Sequence, residues 1–176
     1  MKLKITPILN GKTQSLSFDY PIEVAGDARE YFPADIEPAS PINVNVVVTD
    51  RGEYVSVCVE TSLEYTAPCA RCLAPANGTA SAKFERIVAA HGSFSNEDDY
   101  DDEDILTVTE GEIDVDRDVL EETALAMPDI LLCREDCAGL CPKCGKRRDG
   151  GECKCGETRE IDPRMKIFEK LLDQMK

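Results

Sequence analysis

Apolar and polar residues alternate through two neighbouring segments in the first half of the chain. In residues 42–48 and again in residues 55–65, every second position is apolar, aromatic or threonine, and the positions between are mostly polar. The sequence Asp50-Arg51-Gly52-Glu53 separates the two segments and is typical of a turn. Period-two alternation on both sides of a glycine-containing turn predicts a β-hairpin with one face toward a core.

Other segments extend this pattern into a sheet. Residues 79–88 are predicted to return as a third strand, and short strands are predicted near Leu3–Ile5 and Leu16–Tyr20. Residues 26–41 contain three prolines among acidic residues and are predicted to form a connecting loop. We therefore expect an antiparallel sheet or a partial barrel.

The apolar period changes to a helical one later in the chain. After a short strand pair around Leu106–Val108 and Glu112–Val115, residues 116–127 carry apolar side chains at helical spacing and end before Pro128. A second helix is predicted after Asp162-Pro163, a helix-start sequence. The predicted fold class is α+β: an antiparallel β-sheet or partial barrel, with a C-terminal helix and a cysteine-rich module.

Charge divides the chain further. The net charge is −15, and residues 97–122 contain fourteen acidic side chains against one basic, whereas residues 133–176 contain eleven basic and nine acidic side chains. Four segments are predicted: a β-rich domain (1–91), an acidic flexible loop (92–104), a strand pair and amphipathic helix packed on the β domain (105–132), and a cysteine-rich module with a C-terminal helix (133–176). The overall acidity argues against broad nucleic-acid binding, but it leaves room for a local basic face.

The cellular compartment decides how the nine cysteines are interpreted. No stretch approaches the roughly 18–20 apolar residues that span a bilayer, and the N-terminus lacks the pattern of a signal peptide. We therefore expect a cytoplasmic protein with no membrane partner. Closely spaced cysteines in the cytosol bind metal or do redox work more often than they form disulfides.

Six cysteines fall within residues 133–155. The sequence Cys141-Pro-Lys-Cys144-Gly145 has the form of a zinc knuckle, and a glycine-rich turn precedes Cys153-x-Cys155. We predict one zinc ion held by four thiolates, those of Cys141, Cys144, Cys153 and Cys155. A reduced, exposed thiol cluster and an iron–sulfur cluster are the alternatives.

Cys69-Ala-Arg-Cys72 is a second close pair, at the end of a predicted strand. It can join Cys133 and Cys137 in a second metal site, form a redox pair, or only cap a hairpin. Cys58, on a strand, is predicted to be a small packing residue.

The sequence lacks the motifs of common enzyme active sites. The one histidine, His91, lies near the acidic loop and is predicted to be a surface side chain, and no nucleophile elbow, phosphate loop or His-Glu-x-x-His motif is present. The acidic run also lacks the glycine of a calcium loop. We expect a structural zinc, no enzyme activity and no small-molecule substrate.

Residues 133–176, which are predicted to form a zinc-knuckle module with a C-terminal helix, are also predicted to expose basic side chains. Such side chains between zinc ligands contact RNA or protein in other proteins, or they balance the negative charge of the thiolates. The candidate contact residues are Lys143, Lys146, Arg147, Arg148 and Lys154.

Several motifs together resemble the bacterial YceD family. They are the run from Cys133 to Gly145, Cys153-x-Cys155, Asp162-Pro163-Arg164 and the upstream Cys69-x-Arg71-Cys72-Leu73, so the resemblance covers at least residues 55 to 175. One departure is the charged stretch 146–151, where family members often have an asparagine-bearing turn. The resemblance implies a role in the accumulation of large-subunit ribosomal RNA, with metal and nucleic-acid binding.

Two functions are therefore compared. The first is a non-enzymatic zinc-binding factor in ribosome assembly that contacts ribosomal RNA, a ribosomal protein or a pre-ribosomal particle. The second is a cytosolic thiol redox or zinc-responsive sensor that uses Cys69 and Cys72.

Overall fold

A computed structural model of the chain describes residues 1–89, 105–148 and 155. The predicted acidic loop, His91, Cys153, Lys154 and the helix after Asp162 lie outside the described residues. The elements, in chain order, are β1 (Lys2–Lys4), α1 (Thr6–Leu9), β2 (Ser15–Ile22), a 3-10 helix (Gly26–Tyr31), β3 (Glu37–Pro38), β4 (Ile42–Asp50), β5 (Tyr54–Pro68), β6 (Pro75–Ala89), β7 (Ile105–Leu106), β8 (Glu112–Asp114) and α2 (Asp116–Leu125).

The described residues divide into two compact units, Met1–Glu135 and Asp136–Lys176. The first unit contains every strand and helix named above. Within the described part of the chain, no helix has the length and apolar content needed to span a membrane.

A curled sheet with the strand order β2-β4-β5-β6-β7 forms the frame of the first unit, and β3 pairs with the end of β5 that β4 does not cover. The predicted hairpin is confirmed, because β4 and β5 pair antiparallel through the turn at Gly52. The α+β fold class is also confirmed, as a mostly antiparallel sheet with a helix packed on it.

The hairpin of β5 and β6 is the longest feature of the sheet. Fifteen residues of each strand pair in register, from Tyr54 opposite Ala89 to Pro68 opposite Pro75. The hairpin therefore places the Cys69–Cys72 turn at one tip, at the far end of the two longest strands.

One face of the sheet is buried, as the alternation predicted, and α2 packs against β5 and β6 on that face. The β4 and β5 side chains of Val46, Val57 and Val59 are fully buried, and α2 places Val119 and Leu120 against the same core. Burial of a valine or leucine side chain contributes roughly 1.5–3 kcal/mol, so this face dominates the stability of the unit.

Polar contacts fix where α2 lies on the sheet. The buried hydroxyls of Thr61 on β5 and Thr123 on α2 are 2.9 Å apart. Arg86 on β6, of which only 12% is exposed, donates to Asp118 at 3.0 Å and to Glu122 at 2.7 Å. These contacts are directional, so they select one position of the helix along the sheet.

The structure contains helix α1, which was not predicted, and differs from the predicted elements in two further places. In the described part of the chain, the segments near 106 and 112 share only an antiparallel bridge between Thr109 and Glu112. Strand β7 pairs parallel with β6, and β8 pairs antiparallel with β1. Short-range sequence patterns identify strands but not their partners. The predicted loop at 26–41 contains the 3-10 helix and β3, each too short to give a periodic signal.

Candidate metal centre

The first cysteine pair lies in a tight turn between β5 and β6. The amide of Leu73 donates to the carbonyl oxygen of Cys69 at 2.9 Å, and the amide of Cys69 donates to the carbonyl oxygen of Ala74 at 2.7 Å. Leu73 has a φ of 58°, in the left-handed region that a branched side chain rarely adopts. The turn is closed by these two bonds, so the two cysteines are held in a defined arrangement.

The second unit repeats this backbone arrangement at its own Cys-x-x-Cys sequence. The amide of Gly145 donates to the carbonyl oxygen of Cys141 at 2.8 Å, and the amide of Cys141 donates to the carbonyl oxygen of Lys146 at 2.7 Å. Gly145 has a φ of 69°, so it corresponds to Leu73 in conformation as well as in position. The Cys69–Leu73 turn thus has the same backbone conformation as the Cys141–Gly145 turn, with leucine in the place of glycine.

The loop after α2 brings a third thiol to the first pair. The amide of Ala70 donates to the carbonyl oxygen of Leu131 at 2.9 Å, and this bond fixes the loop against the turn. The Sγ atoms of Cys72 and Cys133 are 3.6 Å apart. The three sulfur atoms of Cys69, Cys72 and Cys133 all lie within 4.8 Å of one another. Separate segments of the first unit therefore converge on one point.

Burial and electrostatics at this point favour thiolates. Cys69 has no exposed surface and Cys72 only 3%, whereas Cys133 is exposed. The pKa of Cys69 is lowered to about 6, mainly because the backbone amide of Cys133 donates to its sulfur, with further donation from Arg71 and Cys72. These interactions outweigh the opposing effect of burial. Since the thiolate is the form that binds metal, the site is electrostatically prepared for a cation.

The second unit gathers its own cysteines. The sulfur atoms of Cys141, Cys144 and Cys155 lie within 4.8 Å of one another. Of the four predicted ligands, the structure brings these three together, and Cys153 is outside the described residues. Cys137 was predicted as a ligand of the other site together with Cys69, Cys72 and Cys133. It belongs to the second unit, and its side chain is buried with 2% exposed. Both cysteine groups can hold a metal ion.

The predicted basic side chains surround the second knuckle. A bridge between Leu140 and Arg147, together with a bond from the amide of Arg148 to the carbonyl oxygen of Gly139 at 3.0 Å, holds the segment after the knuckle. Four of the five predicted contact residues are exposed here: Lys143, Lys146, Arg147 and Arg148. Lys154 is outside the described residues.

Thiolate chemistry restricts which metals suit these groups. All the gathered ligand atoms are sulfur, and soft thiolates favour zinc, copper(I) and iron–sulfur clusters over magnesium or calcium. Cys58 is separate from both groups. It lies in the middle of β5, opposite Val47 and Glu85, and is half-buried on the sheet face away from the core.

Sequence reasoning missed the role of Leu73. The absence of a glycine after Cys72 conceals the knuckle, because glycine is the residue expected at a positive φ. The available signal was the Cys-x-x-Cys spacing at a predicted strand end.

Comparisons with known proteins give the following matches. The family model described as "Large ribosomal RNA subunit accumulation protein YceD" matches residues 57–172. Similar curated proteins include uncharacterised proteins of Mycobacterium bovis and Mycobacterium tuberculosis, each 29% identical over 62% of this chain and 53% of theirs. An uncharacterised protein of Mycobacterium leprae is 28% identical over 62% of this chain and 50% of its own length. The chain therefore spans about half the length of these relatives. No solved structure matches it.

Proposed function

The chain belongs to the YceD family of large ribosomal RNA subunit accumulation proteins, and on this premise we propose that it is a non-enzymatic, zinc-binding factor in large-subunit assembly in the cytoplasm. The observation that carries the proposal is the position of the family match. Residues 57–172 include both Cys-x-x-Cys turns and every candidate metal ligand. The proposed metal ligands thus lie within the region that the family model matches.

The first proposed zinc is held by Cys141, Cys144, Cys153 and Cys155. The shared knuckle geometry supports it, because that backbone conformation directs two thiolates to one ion. A zinc ion bound by four cysteines is structural, since no coordination position is left open for a substrate. Metal binding of this kind supplies folding free energy on the order of 10 kcal/mol or more.

The second proposed zinc is held by Cys69, Cys72, Cys133 and Cys137. It is supported by the knuckle turn at Cys69–Leu73, by the closeness of three sulfur atoms, and by the lowered pKa of Cys69. Cys137 is proposed as the fourth ligand because it follows Cys133 by four residues, a spacing that zinc sites use. This zinc would connect the hairpin tip to the loop after α2.

The exposed basic side chains after Cys141 form the proposed contact with ribosomal RNA or with a ribosomal protein on a pre-ribosomal particle. Lys143, Lys146, Arg147, Arg148 and Lys154 would supply it. The overall net charge of −15 supports a local contact rather than general nucleic-acid binding.

The function is tested by deleting the gene in the organism of origin. We expect the ratio of large-subunit to small-subunit ribosomal RNA to fall, and precursor particles to accumulate on sucrose gradients. Wild-type protein should restore the ratio, and a variant carrying Cys58→Ser, outside both cysteine groups, should restore it equally. An unchanged RNA ratio in the deletion strain would refute the proposed function.

The metal content is tested separately by elemental mass spectrometry on protein purified without a metal-binding tag. Two zinc ions per chain are expected, and Cys69→Ser together with Cys72→Ser should reduce the count to one. A content of one zinc ion per wild-type chain would refute the second proposed site, and the absence of zinc would refute both.

The second candidate function is a thiol redox sensor. The sequence predicted Cys69 and Cys72 as its thiol pair, and the close approach of the Cys72 and Cys133 sulfur atoms supports a pair made of those two instead. In that case two thiols would lose two protons and two electrons to a peroxide, forming a disulfide and water. Mass mapping after mild peroxide treatment distinguishes the two functions. A reversible Cys72–Cys133 disulfide in zinc-loaded protein favours the sensor, and thiols that stay protected favour the structural zinc.

A further inference from the structure

A groove of about 470 Å³ lies beside the Cys69–Leu73 turn in the first unit. Its floor is a small cluster of buried residues that includes Ile36, Tyr65 and Ala67. Met127 and Leu131, from the segment after α2, pack against this cluster and also line the groove. The groove thus lies between the end of the long hairpin and the loop that leads to Cys133, and most of its lining residues in the described part of the chain are apolar.

Leu73 stands at the edge of this groove in an unusual state. Its side chain is 67% exposed although it is large and apolar, and its backbone is in the left-handed region. At the matching position of the other knuckle the residue is Gly145, which adopts the same conformation without strain. The turn itself therefore does not need the leucine side chain, and neither does the core.

The charges that line the groove have one sign. Among the described residues that line it are two exposed carboxylates, Asp35 and Asp129, and no lysine, arginine or histidine. The described residues of the first unit carry twenty acidic and ten basic side chains, so the wider surface is negative as well. Such a surface repels phosphate groups and attracts basic side chains.

We propose that this groove binds a segment of a partner protein in which an apolar side chain is flanked by lysine or arginine. The apolar side chain contacts Leu73 and the groove floor, and the basic residues face Asp35 and Asp129. The basic residues of the second knuckle belong to the other unit. The proposal rests on the proposed function in one respect only, the choice of ribosomal proteins as the set of partners to search.

Leu73 is expected to contribute most of the binding free energy of this contact. An exposed leucine beside an apolar groove loses water contact on all sides when a partner covers it, and central apolar residues of this kind carry most of the affinity of an interface. The two exposed carboxylates contribute less, since ion pairs in contact with solvent are weakened by screening. They should act mainly on specificity and on the rate of association.

The test uses the full, zinc-loaded chain and an array of overlapping 15-residue peptides from the large-subunit ribosomal proteins of the same organism. Peptides that bind are then measured in solution by fluorescence anisotropy. Leu73→Ala removes the leucine side chain beyond Cβ and keeps a residue with a Cβ in the left-handed conformation. Leu125→Ala is the matched control, because Leu125 is 80% exposed and is not among the residues that line the groove.

We expect a subset of peptides to bind, each with an apolar residue beside lysine or arginine. Leu73→Ala should weaken binding about tenfold, as for a central apolar contact, and Leu125→Ala should leave it within twofold. Asp129→Asn should weaken binding by about two- to fivefold, with a smaller dependence on salt. All variants should retain the wild-type zinc content.

The proposal is overturned if no peptide binds, if acidic peptides bind equally well, or if Leu73→Ala and Leu125→Ala have the same effect. It is also overturned if fragments of large-subunit RNA, rather than peptides, bind in a manner that depends on Leu73. Failure of the proposed function gives a different result: peptides would bind through Leu73 while gene deletion left the ribosomal RNA ratio unchanged.

Discussion

Substitution of Gly145 by alanine tests whether the knuckle conformation is coupled to metal binding. The φ of Gly145 is 69°, and a Cβ at this position would meet no atom within 4 Å. The substitution therefore causes no collision, and its cost is only that of holding alanine in the left-handed region. That cost is roughly 1–2 kcal/mol, and it is partly offset by the smaller conformational entropy of alanine in the unfolded chain. The net destabilisation is about 1 kcal/mol.

In a module that folds as it binds zinc, this conformational cost appears in the affinity for the metal. A loss of about 1 kcal/mol corresponds to about a fivefold weaker affinity. The assay is competition for zinc with a chromophoric chelator at pH 7, on the full chain. Only the affinity of the proposed zinc site in the second unit should fall.

Gly52→Ala is the control for this experiment. Gly52 has a φ of 90° with no atom within 4 Å of an added Cβ, but it lies in the β4–β5 turn. It should lower the free energy of unfolding by a similar amount while leaving zinc affinity unchanged. If Gly145→Ala also left zinc affinity unchanged, the conformation of the knuckle would not be coupled to metal binding, and the reasoning would fail.

Two further predictions concern the sheet and its helix. Thr61→Val should lower the free energy of unfolding by about 2 kcal/mol in urea titrations, because it leaves the buried Thr123 hydroxyl without its partner. The double variant with Thr123→Val should cost less than the sum of the two single variants. The pKa of Tyr20 is raised to about 12, first by burial and then by the charge of Asp114, from an ordinary value of 10.0. The neutral phenol is therefore favoured in the folded state, so its contribution to stability is complete below pH 10 and is lost as the pH rises toward 12. Tyr20→Phe should flatten the fall in stability over that range.

Contradicting results are equally specific. Additive effects of the two threonine substitutions would show that the hydroxyls are not coupled across the sheet and helix. Formation of a phenolate absorbance band near pH 10 for all five tyrosines would show that Tyr20 is not shielded.

The sheet was predictable where its pattern is local. Alternation of valines on both sides of Gly52 determines a hairpin, because both strands and their turn are contiguous in the sequence. The partner of β8 was not predictable in the same way, since β1 lies more than a hundred residues away and three-residue strands carry almost no register information. Helix α1 was missed because four residues containing a proline show no helical period.

The candidate site shows the same division. The spacing of Cys141 and Cys144 before Gly145 predicts the knuckle, because each residue of the motif has a required backbone or ligand role. The approach of Cys133 to Cys72 depends on the bond from Ala70 to Leu131 and on the packing of α2, which are tertiary contacts between distant segments. The left-handed conformation of Leu73 was not predictable from residue preference, since leucine disfavours it.

The contact between Cys72 and Cys133 joins positions 61 residues apart in the chain. A metal ion held there would act as a cross-link that closes this long loop, in the manner of a disulfide but reversibly. For a closed loop of this size, the chain-entropy treatment gives a stabilisation of about 4 kcal/mol, through restriction of the unfolded chain. During synthesis the hairpin tip would emerge well before Cys133, so the loop would close late. The supply of the metal would then determine when the loop between Cys72 and Cys133 is closed.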